Sequence, residues 1–117
     1  SAVSTFDFAS EIKNYLEENY NQSISLNDLS EEFHYSVGYL CNVFRNAYHV
    51  TPLRCLNQIR IAHAKTLLSG NLDILLKDVA SCVGFTDPLY FSRLFKKETG
   101  MSPSEYREKW EAGEISG

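Results

Sequence analysis

The residue types able to run catalysis or hold a metal are three histidines, His34, His49 and His63, and three cysteines, Cys41, Cys55 and Cys82. None of them stand at zinc-ligand spacings, and there is no C-x-x-C pair, H-E-x-x-H, G-x-S-x-G or phosphate-cradling glycine loop. An odd cysteine count without pairing argues against a disulfide framework and for a reducing, cytosolic setting. No catalytic, metal-binding or cofactor-binding residue is assigned, and the expectation is a protein that is not an enzyme and needs no cofactor.

A different chemistry lies in two other stretches. Val37, Gly38, Cys41, Asn42 and Arg45, and again Pro88, Leu89, Ser92, Arg93, Lys96 and Lys97, recur at spacings of three and four, which places each set on one side of a helix. Arg is the commonest reader of guanine, Asn pairs with adenine, small and apolar groups meet the thymine methyl, and Lys suits phosphates. Both sets therefore carry the chemistry of a helix laid in the major groove of duplex DNA. The competing readings are a solvated face charge for Arg93 and, for Cys41, either a redox-sensitive thiol or a small residue that permits close approach.

Charge is consistent with this only through its distribution. The 117 residues carry a net charge of −4, yet residues 36–109 hold ten Lys/Arg against six Asp/Glu, while residues 1–35 hold Lys13 against seven acidic residues. A basic segment inside an acidic wrapper allows one basic face. With 44% hydrophobic residues spread along the length, disorder and low complexity are excluded. No apolar run approaches the ~20 residues needed to span a bilayer, and no basic-then-apolar leader opens the chain.

The elements that must position these residues read as helices throughout, so the expected class is all-α with about seven helices. Phe8, Ile12, Tyr15, Leu16 and Tyr20 form one face of a first helix. Ser25 and Asp28 resemble a capping box opening a second, with Leu26, Leu29 and Phe33 inward. Ser36 starts a third, whose buried stripe is Tyr39, Leu40, Val43, Phe44 and Ala47. Thr51-Pro52 opens a fourth that runs to about Ser69 and stops at Gly70; its Leu53, Leu56, Ile59, Ile61, Ala62, Ala64, Leu67 and Leu68 cover more than one face, as in a central helix packed on two sides. After Asn71-Leu72-Asp73, a short helix carries Leu76, Val79, Ala80 and Val83 and ends at Gly84. Asp87-Pro88 opens the next, with Tyr90, Phe91, Leu94 and Phe95 inward and Gly100 as its left-handed close. Ser102-Pro103-Ser104-Glu105 starts the last, which buries Tyr106 and Trp110.

The chain also repeats itself. Leu26 falls on Leu76 and Asp28 on Asp78 at an offset of 50; with one extra residue at Thr86, Ser36 falls on Asp87, Tyr39 on Tyr90, Phe44 on Phe95, Arg45 on Lys96 and Thr51-Pro52 on Ser102-Pro103. Each copy is a short helix of about nine residues, a turn of three or four residues and a longer helix, the dimensions of a helix-turn-helix. Two such units joined by a stiff helix would address two successive major grooves, roughly 34 Å apart. A helical hairpin repeated because it packs well is the alternative.

The stretch G-F-T-D-P-L-Y-F-S-R-L-F-K-K-E-T-G-M-S-P-S-E-Y-R, residues 84–107, closely resembles the signature of the arabinose-regulator (AraC/XylS) family of bacterial transcription regulators. The first unit and the central helix, with Arg60, Ala64, Leu67 and Leu68, also match, so the resemblance spans about residues 8–110. It implies a DNA-binding domain of two homeodomain-like helix-turn-helix lobes, about 7–50 and 73–110, bridged by a linker helix at about 52–69 and followed by a flexible tail at 111–117. It implies reading helices at Ser36 to Ala47 and Asp87 to Lys97, operator DNA as partner, contact with RNA polymerase, and attachment to an N-terminal sensor or dimerisation domain that these residues do not include. The chain resembles the C-terminal part of such a regulator, although stand-alone members exist. Three departures stand out. Asn42 beside Cys41 occupies positions that are often basic or amide, so the base preference of the first lobe does not transfer; His49 stands where the second lobe has Gly100; and Leu75 stands where Ser25 caps the first lobe, leaving Asp73 as substitute cap.

The expectation is sequence-specific binding of double-stranded DNA in transcription regulation, in the cytoplasm, with no membrane association. The alternative is a helical interaction module that has kept the fold and lost DNA binding, for which the acidic residues before position 36 speak.

Overall fold

A computed structural model describes residues 4–70 and 73–115 of the chain. Its order is α1 (Thr5–Asn19), α2 (Leu26–Phe33), α3 (Val37–Tyr48), α4 (Pro52–Gly70), α5 (Leu76–Cys82), α6 (Pro88–Thr99) and α7 (Pro103–Glu111), with no strand among the described residues. Asn71 and Leu72, where the sequence pattern restarts, lie outside the described residues. No helix is long and apolar enough to cross a membrane among those described. The chain divides into two compact units, Ser1–Ile59 and Arg60–Gly117.

Helix starts sit where the sequence places them because side-chain oxygens replace the missing backbone partners of the first turn. Ser25 accepts from the Asp28 N–H at 3.1 Å while the Asp28 carboxylate accepts from the Ser25 N–H at 2.8 Å, a complete capping box. Ser36, Thr51, Asp87 and Ser102 each accept from a first-turn N–H, and Pro52, Pro88 and Pro103 follow three of them as the first helical residue. α5 departs from this. Its N-cap is Leu75, which gives no side-chain hydrogen bond and is 57% exposed.

The core of the first unit gathers Ala9, Ile12 and Leu16 of α1, Leu29 of α2, Leu40, Val43 and Phe44 of α3, and Cys55 and Leu56 at the start of α4. The second unit buries Ile61, Ala64 and Leu68 from the later half of α4, Val79 and Ala80 of α5, Val83, Phe85, Phe91 and Phe95 around α6, and Tyr106 of α7. Rings run through it in sequence: Phe85 to Phe91 at 5.3 Å, Phe91 to Phe95 at 5.8 Å, and Phe95 edge-on to Tyr106 at 5.6 Å.

These lists extend the repeat. At an offset of 52, Phe8, Ala9, Ile12 and Leu16 fall on Arg60, Ile61, Ala64 and Leu68, and all eight are buried. Each unit is thus three helices, α1–α2–α3 and the later half of α4 with α5 and α6, followed by a capped start that contributes Cys55 or Tyr106 to the base of the core. α4 serves both units in succession along its length, with Leu53 and Ala62 exposed.

Two buried-stripe expectations fail at equivalent places. Tyr39 is 44% exposed and Tyr90 50% exposed. Both stand at the third residue of their helix, where a long ring reaches the rim of the core.

Candidate nucleic-acid interface

Turns between the paired helices set how α3 and α6 are presented. The first runs over residues 34–36 and the second over 83–87, longer than expected because of the extra residue and because α5 ends at Cys82. Four backbone positions here have positive φ, and the units solve them differently. His34 (φ 60°) closes α2 where the repeat places Gly84 (φ 101°), and His49 (φ 63°) closes α3 where it places Gly100 (φ 85°). The caps bond alike: the His49 N–H donates to the Arg45 carbonyl and the Gly100 N–H to the Lys96 carbonyl, each at 2.8 Å. His49 thus holds the left-handed conformation that the second unit gives to a glycine.

α3 and α6 are each braced from beneath by a cluster built at matching positions. In the first unit the Phe8 ring lies 4.8 Å from Tyr35 of the turn and stacks on Tyr39 at 6.2 Å, with Tyr35 and Tyr39 5.1 Å apart. In the second, Arg60 takes the place of Phe8; its guanidinium lies over the Phe85 ring at 5.4 Å, and Phe85 meets Tyr90 edge-on at 5.9 Å. Arg60 is only 9% exposed, and burial pulls its pKa below the ordinary arginine value while the nearby Tyr90 phenol raises it. The sequence marks neither brace: Phe8 stands there on the apolar face of the first helix and Arg60 among the central-helix residues that match the family.

Against that support the outward faces of α3 and α6 carry the candidate residues. Gly38, Asn42 and Arg45 are exposed on α3, with Val37 and Cys41 half-buried; Pro88, Leu89, Arg93, Lys96 and Lys97 are exposed on α6, with Ser92 half-buried. Among the described residues no hydrogen bond or ring contact engages the Arg45, Arg93, Lys96 or Lys97 side chains. Burial pushes the Cys41 pKa above the usual thiol value, against the lowering effect of Arg45.

Two residues outside the expected set join the α3 face. Asn46 and His49 line one open depression with Gly38, Cys41, Asn42 and Arg45. The signal was present in the repeat, which places Asn46 on Lys97, a residue already singled out on the other helix.

A family model described as a helix-turn-helix domain matches residues 29–109, more than half of the chain. The chain belongs to the AraC-type helix-turn-helix family. The seven helices of its described residues have the architecture of AraC-type DNA-binding domains, within a family of transcription regulators. In sequence it is 39% identical over 99 residues to an uncharacterized HTH-type transcriptional regulator, YijO, of Escherichia coli K12, covering 85% of this chain and 35% of that protein. It is 31% identical over 101 residues to the melibiose operon regulatory protein of the same organism, covering 86% and 33%. In structure it is similar to the C-terminal domain of AraT, a response regulator from Geobacillus stearothermophilus, with a TM-score of 0.84, 26% identity and coverage of 93% and 88%. It is likewise similar to the DNA-binding domain of the global transcriptional factor AdpA, solved in complex with a target DNA, with a TM-score of 0.85, 25% identity and coverage of 93% and 97%. The chain spans about a third of the length of these two curated relatives.

Proposed function

We propose that this AraC-type chain binds double-stranded DNA sequence-specifically and acts as the DNA-binding part of a transcription regulator, each unit laying one helix, α3 or α6, in a major groove. The observation that carries the reading is the pair of equivalent outward faces, whose cations make no hydrogen bond within the described residues and whose helices are fixed from beneath by rings. Arg93 is the principal base reader; Arg45, Lys96 and Lys97 hold phosphates; Gly38, Leu89, Pro88, Val37, Cys41 and Ser92 supply the close approach and apolar contact that thymine methyls accept. The DNA complex of the AdpA domain, a similar fold at 25% identity, supports the reading.

The chain matches only about a third of the length of the two curated relatives, so the proposed partners include a sensor or dimerisation domain and RNA polymerase, and the proposed place of action is the cytoplasm. Titration of a DNA duplex at several salt concentrations tests the core of the reading. Three phosphate contacts release counterions and give a log–log slope of about −3 or steeper. Binding without salt dependence, or none, would refute it and leave an interaction module.

A further inference from the structure

The repeat makes the two reading faces directly comparable, and they differ in chemistry. At matching positions α6 carries Arg93, Lys96 and Lys97, and α3 carries Asn42, Arg45 and Asn46. Two of three cations are replaced by neutral amides. Both Asn42 and Asn46 are exposed, line the same depression, and are engaged by no described residue. An exposed primary amide offers a donor and an acceptor side by side, the complement of the adenine N6 and N7 edge. Their spacing of four residues corresponds to about 6 Å of helix rise, close to two base-pair steps of ~3.4 Å. One turn earlier on this face stands Gly38, where an added Cβ would meet nothing within 4 Å, so the glycine leaves open space into which a groove edge can move. Cys41, next to Asn42 on this face, has its pKa raised by burial and stays a neutral thiol, setting no negative charge beside the amides.

We infer that Asn42 and Asn46 are the specificity-determining residues of the first unit, reading two adenines about two base pairs apart, while Arg93 of the second unit reads guanine. The inference rests on the proposed DNA binding and adds to it an unequal division: the first unit contributes base discrimination through amides, and the second contributes most of the charge.

The test is selection of bound duplexes from a random pool by the parent chain, Asn42→Ala, Asn46→Ala and Asn42→Arg, with melting temperatures measured alongside. The parent enriches one block with two A·T pairs about two steps apart and another containing guanine. Each alanine variant loses preference at one adenine only, with about 5- to 100-fold weaker binding to the parent's site, and an unchanged melting temperature. Asn42→Arg exchanges adenine for guanine at its position, which a purely structural role would not do. Blocks without paired A·T positions, or alanine variants that keep the parent's preferences, overturn the amide assignment while leaving DNA binding standing; no enrichment by the parent overturns both.

Discussion

Replacing His49 by glycine should stabilise the protein, and replacing Gly100 by alanine should do the reverse. The two residues close equivalent helices in the same left-handed conformation, at φ 63° and 85°, with the same 2.8 Å cap bond, so the comparison isolates the residue type. A non-glycine residue there costs about 1–2 kcal/mol, and glycine gives back about 0.4–1 kcal/mol through the freer unfolded chain. The His49 side chain is exposed and no described residue engages it, so little packing is lost. The net gain for His49→Gly is about 0.5–1 kcal/mol. Gly100→Ala should lose about the same amount, because the added Cβ meets nothing within 4 Å and only the backbone is penalised. Thermal unfolding followed by circular dichroism should move by roughly 2–8 °C in opposite directions for the two variants. A lower melting temperature for His49→Gly would show that the imidazole makes a stabilising contact larger than the strain, and the reasoning would be wrong.

Arg93→Ala should weaken binding to the selected site by about 1–3 kcal/mol and leave non-specific binding nearly unchanged; equal loss on both would reassign Arg93 to phosphate. Stability should be flat to about pH 8 and fall above it. Burial pushes Cys55 and Tyr106 up, so the folded state keeps protons that the unfolded chain sheds from about pH 8.5 (thiol) and 10 (phenol) upward. Melting temperatures from pH 7 to 10 should show the fall, and Cys55→Ala should make it shallower; a rise with pH would contradict the burial argument.

Much of this architecture is legible in the residues because helix starts are chemically local. Ser25 with Asp28, Asp87 with Pro88, and Ser102 with Pro103 each announce a cap that needs no tertiary contact to form. The spacing of Leu40, Val43 and Phe44, or of Phe91 and Phe95, likewise follows from one helix and one core. What the sequence conceals depends on the partner across the packing. Tyr39 and Tyr90 belong to the apolar stripe by spacing, yet their rings end at the surface because Phe8 and the Arg60–Phe85 pair fill the space beneath. The ring under Arg60 comes from Phe85, 25 residues further on, and no local pattern pairs the two. Leu75 breaks the capping rule at α5, and nothing in the structure explains its choice there. Asn46 and His49 were hidden for a simpler reason: the α3 face was read to Arg45, one turn short of the helix end.

The most direct measurement of the central claim is a map of backbone amide chemical shifts, by isotope-labelled NMR, as duplex DNA is added to the chain. The account predicts that the largest changes fall on residues 37–49 and 88–97, the outward faces of α3 and α6, and that they diminish as salt is raised. Changes concentrated on α1 or α7, or no salt-dependent change at all, would contradict it.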